Sequence, residues 1–222
     1  MIDDILSLIA PHYCFGCTKV GVVLCQNCKY NIISEPYRRC INCAVPITTN
    51  RGVCLRCKLP YSRAWCIGER NGELESLLNA YKFSNVRAVY KAFADLLDSS
   101  LSNLPSSVYV VPVPTITTHI RQRGYDHTAL IAKEFARKRK LTYLPCLGRK
   151  TNTVQRGKGR GERIKQAKTA FTCQAQLDDS GVYLLIDDVV TTGATVRYSA
   201  KALKAAGAKD VWVASISRQP LD

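Results

Sequence analysis

Four Cys-x-x-Cys units follow one another near the start of the sequence: Cys14/Cys17, Cys25/Cys28, Cys40/Cys43 and Cys54/Cys57. A two-residue spacer lets a tight turn aim both sulfurs at one ion, and two such turns complete a tetrahedral thiolate site. Eight ligands therefore suit two structural zinc ions, each closed to substrate. Seven residues separate the pairs of the first quartet, ten those of the second, and eleven separate the quartets. Shorter loops cost less closure entropy, which favours sequential sites. A cross-braced arrangement, first pair with third and second with fourth, stays open. A thiol redox centre would need only one such unit. His12 precedes Cys14 by two residues, but the cysteine ligands are already complete. Cys66, Cys146 and Cys173 are isolated and read as ordinary core or surface cysteines.

Nine of the eleven cysteines lie in residues 1–66, so the composition divides the chain into a Cys-rich metal module, 1–66, and a larger domain, 67–222. The module has few large apolar side chains, and bound metal is expected to supply much of its folding free energy. No stretch approaches the roughly 20 apolar residues of a membrane span, and the opening MIDDILSLIA is acidic where a secretion signal is basic. These features predict a cytoplasmic protein without membrane insertion, in a compartment that keeps thiols reduced. Of the net charge of +15, residues 1–66 carry eight Lys or Arg against three acids, net +5, and the remainder net +10. Two zinc ions on eight thiolates would lower the first figure by four. The positive excess then sits on the large domain and suits an anionic ligand.

Leu74, Leu77, Leu78 and Tyr81 recur at helical spacing over 72–82, and further helices are expected over 86–100, 127–140 and 194–206. VYVVPVP (108–114), VYLLI (182–186) and VWVASI (211–216) are short β-branched runs that read as buried strands. Between Arg149 and Lys168 lie eight Lys or Arg and glycines at 157, 159 and 161, which predict a mobile basic loop. Strands alternating with helices imply an α/β fold with a mostly parallel sheet flanked by helices. Such a sheet holds its ligand at the carboxyl ends of its strands.

The segment LLIDDVVTTGAT, 184–195, concentrates the chemistry. An apolar strand delivers Asp187 and Asp188, and a turn of small residues opens a helix. Gly193 permits close backbone approach, Thr191, Thr192 and Thr195 supply hydroxyl donors, and the first amides of the helix favour an anion. Two carboxylates can accept from the vicinal hydroxyls of a ribose while the turn holds its phosphate. A polar strand end with a capping threonine would account for Asp188 and Thr195 but not for the whole run.

DDVVTTGAT resembles the ribose-5-phosphate motif of type I phosphoribosyltransferases. The order of paired cysteines, YKF, VPVP, RQRGYDH, a Gln/Arg-containing loop and DDVVTTGAT resembles the ComF family along nearly the whole chain. The resemblance implies a type I phosphoribosyltransferase-like domain with a small zinc-ribbon or knuckle module before it. It makes Asp187 and Asp188 the ribose contacts and Thr191, Thr192, Gly193, Ala194 and Thr195 the 5-phosphate turn. Pro112 to Pro114 with Arg121, Arg123 and Gly124 would form the pyrophosphate-side loop, Lys82 a further ligand contact, and Gln155, Arg160 and Arg163 part of a lid. Arg123, Arg160 and Arg163 would stabilise the charge on departing pyrophosphate.

The implied ligand is phosphoribosyl pyrophosphate with magnesium, transferred or hydrolysed at the anomeric carbon. The implied setting is competence and DNA uptake. The alternative is a single-stranded-DNA-handling protein that uses the zinc head and the basic lid, with DNA-uptake partners and a regulatory ligand site; the basic run lacks interleaved aromatic platforms. The chain departs from the family's usual RGFNQ at Tyr125, Asp126 and His127, from leucine at Lys158 and from asparagine at Gln166. Asp126 is expected to repel pyrophosphate, Tyr125 to pack, and His119 and His127 to lie at the surface. The acceptor and the oligomeric state are not specified.

Overall fold

The computed structural model describes residues 12–101, 103–149 and 170–221. After the cysteine knuckles, which include helix α1 (Gln26–Ser34), the chain runs β1 (Arg63–Glu69), α2 (Gly72–Phe83), α3 (Val89–Ser100), β2 (Val108–Pro112), α4 (Thr117–Arg123) and α5 (His127–Arg139). It continues through β3 (Thr142–Tyr143), β4 (Leu147–Arg149), β5 (Phe171–Cys173), β6 (Val182–Val190), α6 (Ala194–Ala205) and β7 (Asp210–Arg218). Five strands form a sheet in the order β1-β7-β6-β2-β3, and every neighbouring pair is parallel. β4 and β5 form a separate antiparallel pair on either side of residues 150–169.

Parallel strands need both faces covered, and β6 supplies apolar residues to each. Leu184 and Ile186 enter one core with Leu77, Leu78, Phe93, Leu97 and Phe135 from α2, α3 and α5. Tyr183 and Leu185 enter the other with Val196, Ala200 and Leu203 from α6. Three layers result, helices on both sides of one sheet.

The cysteine segments straddle the β1 edge of that sheet. Phe15, Val23, Leu24, Ile32 and Ile33 lean on the first core, whereas Ile41, 1% exposed, is buried within the second. The main chain passes so close to β1 that a Cβ on Gly52 would meet the Ala64 carbonyl oxygen at 1.8 Å, and the Ala64 amide donates to the Arg51 carbonyl at 2.7 Å. The compositional boundary at residue 66 falls inside β1, which pairs with β7 from Arg63 onward. The sheet therefore begins before the last cysteine of the Cys-rich stretch. Among the described residues no helix is long and apolar enough to cross a membrane.

Candidate functional site

β6 runs on beyond the apolar run that marks it in the sequence. Val189 and Val190 are β-branched and pair with Ser217 and Arg218 of β7, so Asp187 and Asp188 sit within the strand rather than after it. Asp187 is 7% exposed, and its Oδ1 accepts the Asp188 amide at 2.9 Å. Burial pushes its carboxyl up to about 7; Asp188 adds to the rise, while Lys82 and Arg149 pull against it. Asp188 turns to the end of α2, where Lys82 Nζ lies 2.8 Å from its Oδ2.

The turn after β6 exposes Thr191 and Thr192 and buries Gly193, which caps α6 with φ +72. That conformation is left-handed and favours glycine. Apart from a 3.4 Å contact between the Ala194 amide and Thr192 Oγ1, no side chain among the described residues caps the helix, whose opening amides suit an anion. Thr195 lies half-buried in the first turn of α6.

β2 ends beside β6, and the Val113 amide donates to the Ile186 carbonyl at 2.9 Å, which fixes the Pro112–Pro114 loop against the acids. α4 follows and closes on Gly124 at φ +78. Arg121 is exposed; Arg123 is half-buried and lies over the Phe83 ring at 5.6 Å. Burial, then Arg123, Lys82 and Arg149, holds the His119 imidazole below its ordinary range, which marks these cations as sharing one field with Asp188. Lys82, Arg123, Asp187, Asp188 and the 191–195 turn therefore gather at the carboxyl edge of the sheet. Gln155, Arg160 and Arg163, like Lys158 and Gln166, lie outside the described residues.

One expectation for the RGYDH segment, the surface place of His127, is corrected. Asp126 Oδ1 accepts the Ala129 amide at 3.0 Å, capping α5, and the Thr115 hydroxyl at 2.9 Å, directly after the Pro112–Pro114 loop. Its carboxylate is occupied by donors that hold the loop in place. His127 is fully buried, not at the surface. Its Nε2 lies 2.9 Å from the Tyr81 carbonyl, which can only accept, so that nitrogen carries the proton. Tyr125 packs as expected, 4.6 Å from the His127 ring, and its hydroxyl donates to the same carbonyl at 3.2 Å. Tyr81 Oη returns a bond to the His127 carbonyl at 2.9 Å. This cluster anchors the peptide immediately before Lys82. Arg149 also joins the site's field, and nothing in the sequence marks it: one more basic residue at the edge of a basic stretch carries no signal of its own.

Both cysteine quartets assemble sequentially. The sulfurs of Cys14, Cys17, Cys25 and Cys28, and separately those of Cys40, Cys43, Cys54 and Cys57, all lie within 4.8 Å of one another. Sulfur separations include 3.6 Å for Cys17–Cys25, 3.6 Å for Cys43–Cys54 and 3.4 Å for Cys54–Cys57. Tetrahedral Zn–S bonds of about 2.3 Å place sulfurs about 3.8 Å apart, so each quartet fits one such ion and the cross-braced pairing is excluded.

A parallel sheet covered by helices, paired acids near the end of a central strand and a small-residue turn opening a helix define the class: an α/β protein with two four-cysteine centres attached, whose motifs resemble those of type I phosphoribosyltransferases. Within that class the ComF resemblance extends along most of the chain. Competence protein F of Haemophilus influenzae is 27% identical over 212 residues, 88% of this chain and 90% of that protein. Competence protein ComFC of Streptococcus pneumoniae is 26% identical over 200 residues, 90% and 83% of the two chains. An orotate phosphoribosyltransferase of Lactobacillus johnsonii is 32% identical over 127 residues, covering 57% of this chain and 50% of that one. No family model matches the sequence.

Proposed function

We propose that the protein binds phosphoribosyl pyrophosphate, or a related ribose 5-phosphate, at the carboxyl edge of β6. The observation that carries this reading is the continuous run from the buried Asp187 and the Lys82-paired Asp188 to the uncapped α6 amides behind Gly193. The ribose hydroxyls donate to the acids and the 5-phosphate takes the turn's amides and threonine hydroxyls. Pyrophosphate lies toward Arg121, Arg123 and Gly124, and the resemblance assigns Gln155, Arg160 and Arg163 to the same ligand. Magnesium, when bound, supplies charge neutralisation of the diphosphate. The reaction class is displacement of pyrophosphate at the anomeric carbon by a nucleophile or by water, in which positioning and charge stabilisation outweigh proton transfer. The quartets hold structural zinc.

Equilibrium binding of labelled phosphoribosyl pyrophosphate, with and without magnesium, tests the reading. Magnesium-dependent binding that disappears in Asp187→Ala/Asp188→Ala is expected; binding that is absent, or indifferent to both acids, sinks it.

The names of the relatives favour a role in competence, and one feature supports contact with single-stranded DNA. A cleft of about 800 Å³ runs between the cysteine segments and β1, lined by Arg38, Arg63, Tyr37 and Trp65 and, among the described residues, by no carboxylate. DNA bound there would weaken linearly in log affinity against log salt and ignore replacement of Asp187 and Asp188. A salt-independent affinity would remove this second reading.

A further inference from the structure

Asn42, in the spacer of the Cys40/Cys43 unit, stands between the second metal site and the phosphate turn. Its Nδ2 donates to Cys57 Sγ at 3.3 Å, and its Oδ1 lies 2.7 Å from where a Cβ on Gly193 would sit. Arg218, 1% exposed at the end of β7, fixes the backbone on both sides of this contact. Its Nε donates to the Ile41 carbonyl at 2.7 Å and Nη2 to the Asn42 carbonyl at 3.2 Å; Nη1 reaches the Val190 carbonyl at 3.3 Å and the Gln219 carbonyl at 2.6 Å. One buried guanidinium thus joins the spacer of a metal knuckle to the last residue of β6, one position before the turn begins. The first quartet faces α2 instead, where a Cβ on Gly16 would meet Glu73 Cγ at 3.1 Å.

We infer that Asn42 is a positioning residue for the phosphate turn, through which metal held by Cys40, Cys43, Cys54 and Cys57 fixes the turn's conformation and so its affinity for a phosphate-bearing ligand. A metal-bound thiolate is a fixed acceptor, and the amide that donates to it is oriented by it, as partners outside a metal's own ligands commonly are. The oriented amide presents its oxygen edge to Gly193, the residue whose left-handed conformation aims the α6 amides. With the metal gone, Cys57 and the hydrogen bond it accepts are no longer fixed in place, and the turn must be ordered by the ligand at the ligand's expense. The inference rests on the proposed ligand for the identity of the anion; the link from quartet to turn does not.

The test uses the full chain loaded with zinc: wild type, Asn42→Ala, Asn42→Asp, Cys57→Ser and, as a control on the same segment, Thr49→Ala. Metal content, hydrogen exchange of amides 190–195 and affinity for ribose 5-phosphate are measured on each. Asn42→Asp keeps the side chain's shape but cannot donate to a thiolate, so it separates orientation by the metal site from mere space-filling. Asn42→Ala and Asn42→Asp are both expected to retain two metal ions, to exchange faster in the turn and to bind ribose 5-phosphate about 10-fold more weakly. Thr49→Ala should match wild type. Turn exchange in Asn42→Asp equal to wild type, with Asn42→Ala alone affected, overturns the inference, and so does equality of all three. Should Cys57→Ser fail to fold, the Asn42 pair decides. If wild type binds no ribose 5-phosphate yet the exchange pattern appears, the link stands and the ligand reading falls.

Discussion

Lys82 Nζ lies 2.8 Å from Asp188 Oδ2, with both side chains mostly buried, so the end of α2 is fastened to the site strand by an ion pair. The pair is shielded enough that losing one partner strands the other. Lys82→Met should destabilise the unliganded protein by about 2 kcal/mol, between the values for exposed and fully buried pairs. Adding Asp188→Asn should restore most of that loss. Urea unfolding of the two single variants and the double variant checks the coupling; additive losses would show that the pair does not interact.

Asp187 makes the stability of the unliganded protein depend on pH. Its carboxyl is raised to about 7 from an ordinary 3.8, first by burial. Between those values the native state holds a proton that the unfolded chain releases, so stability from this group is full below about 4 and is lost as pH rises through 7. Asp187→Asn should flatten that slope. The check is the difference in Tm between wild type and variant from pH 5 to 8: it should widen in the variant's favour as pH increases.

Gly193 is held at φ +72 with Asn42 Oδ1 at 2.7 Å from its would-be Cβ. Gly193→Ala combines backbone strain with a steric conflict and should cost about 1–3 kcal/mol. Ligand affinity should fall with it, because the α6 amides are no longer aimed. Unfolding and ligand titration of the same preparation test both effects, and an unchanged affinity would argue against the turn as the phosphate site.

Asp126 caps α5 and holds Thr115. Asp126→Ala should lose about 1–2 kcal/mol, whereas Asp126→Asn, which still accepts at the cap, should lose little. Thermal unfolding distinguishes them; a large loss in the asparagine variant would mean that the charge itself is needed.

The helices over 72–83, 127–139 and 194–205 are legible in the sequence because their apolar residues repeat at helical spacing, and the quartets because a two-residue spacer admits few other uses. β1 is not legible. RAWCIGE carries charge at both ends and little apolar alternation, and it becomes a strand by pairing Arg63 with Trp212, far along the chain. α4, TTHIRQR, is mostly polar and is set by the β2 loop before it and Gly124 after it. His127 looks like a surface residue in sequence because its burial comes from Tyr81 and Tyr125, not from the polarity of its immediate neighbours. The acids and the turn stand out as one unit because they are contiguous. Asn42 and Arg218 do not, since each matters through contacts to segments remote in sequence.

The pairing of β1 with β7 also sets an order of assembly. β1 is made early, and its only strand neighbour among the described residues is β7, which comes more than 140 residues later in the sequence. The metal knuckles, closed by loops of seven and ten residues, can fold while the sheet still lacks β7. A growing chain would carry a finished metal centre beside an unfinished sheet until β7 docks. Arg218, at the far end of that strand, is then the latch that joins the two, and refolding should show a fast metal-dependent phase followed by a slower one that ends on it.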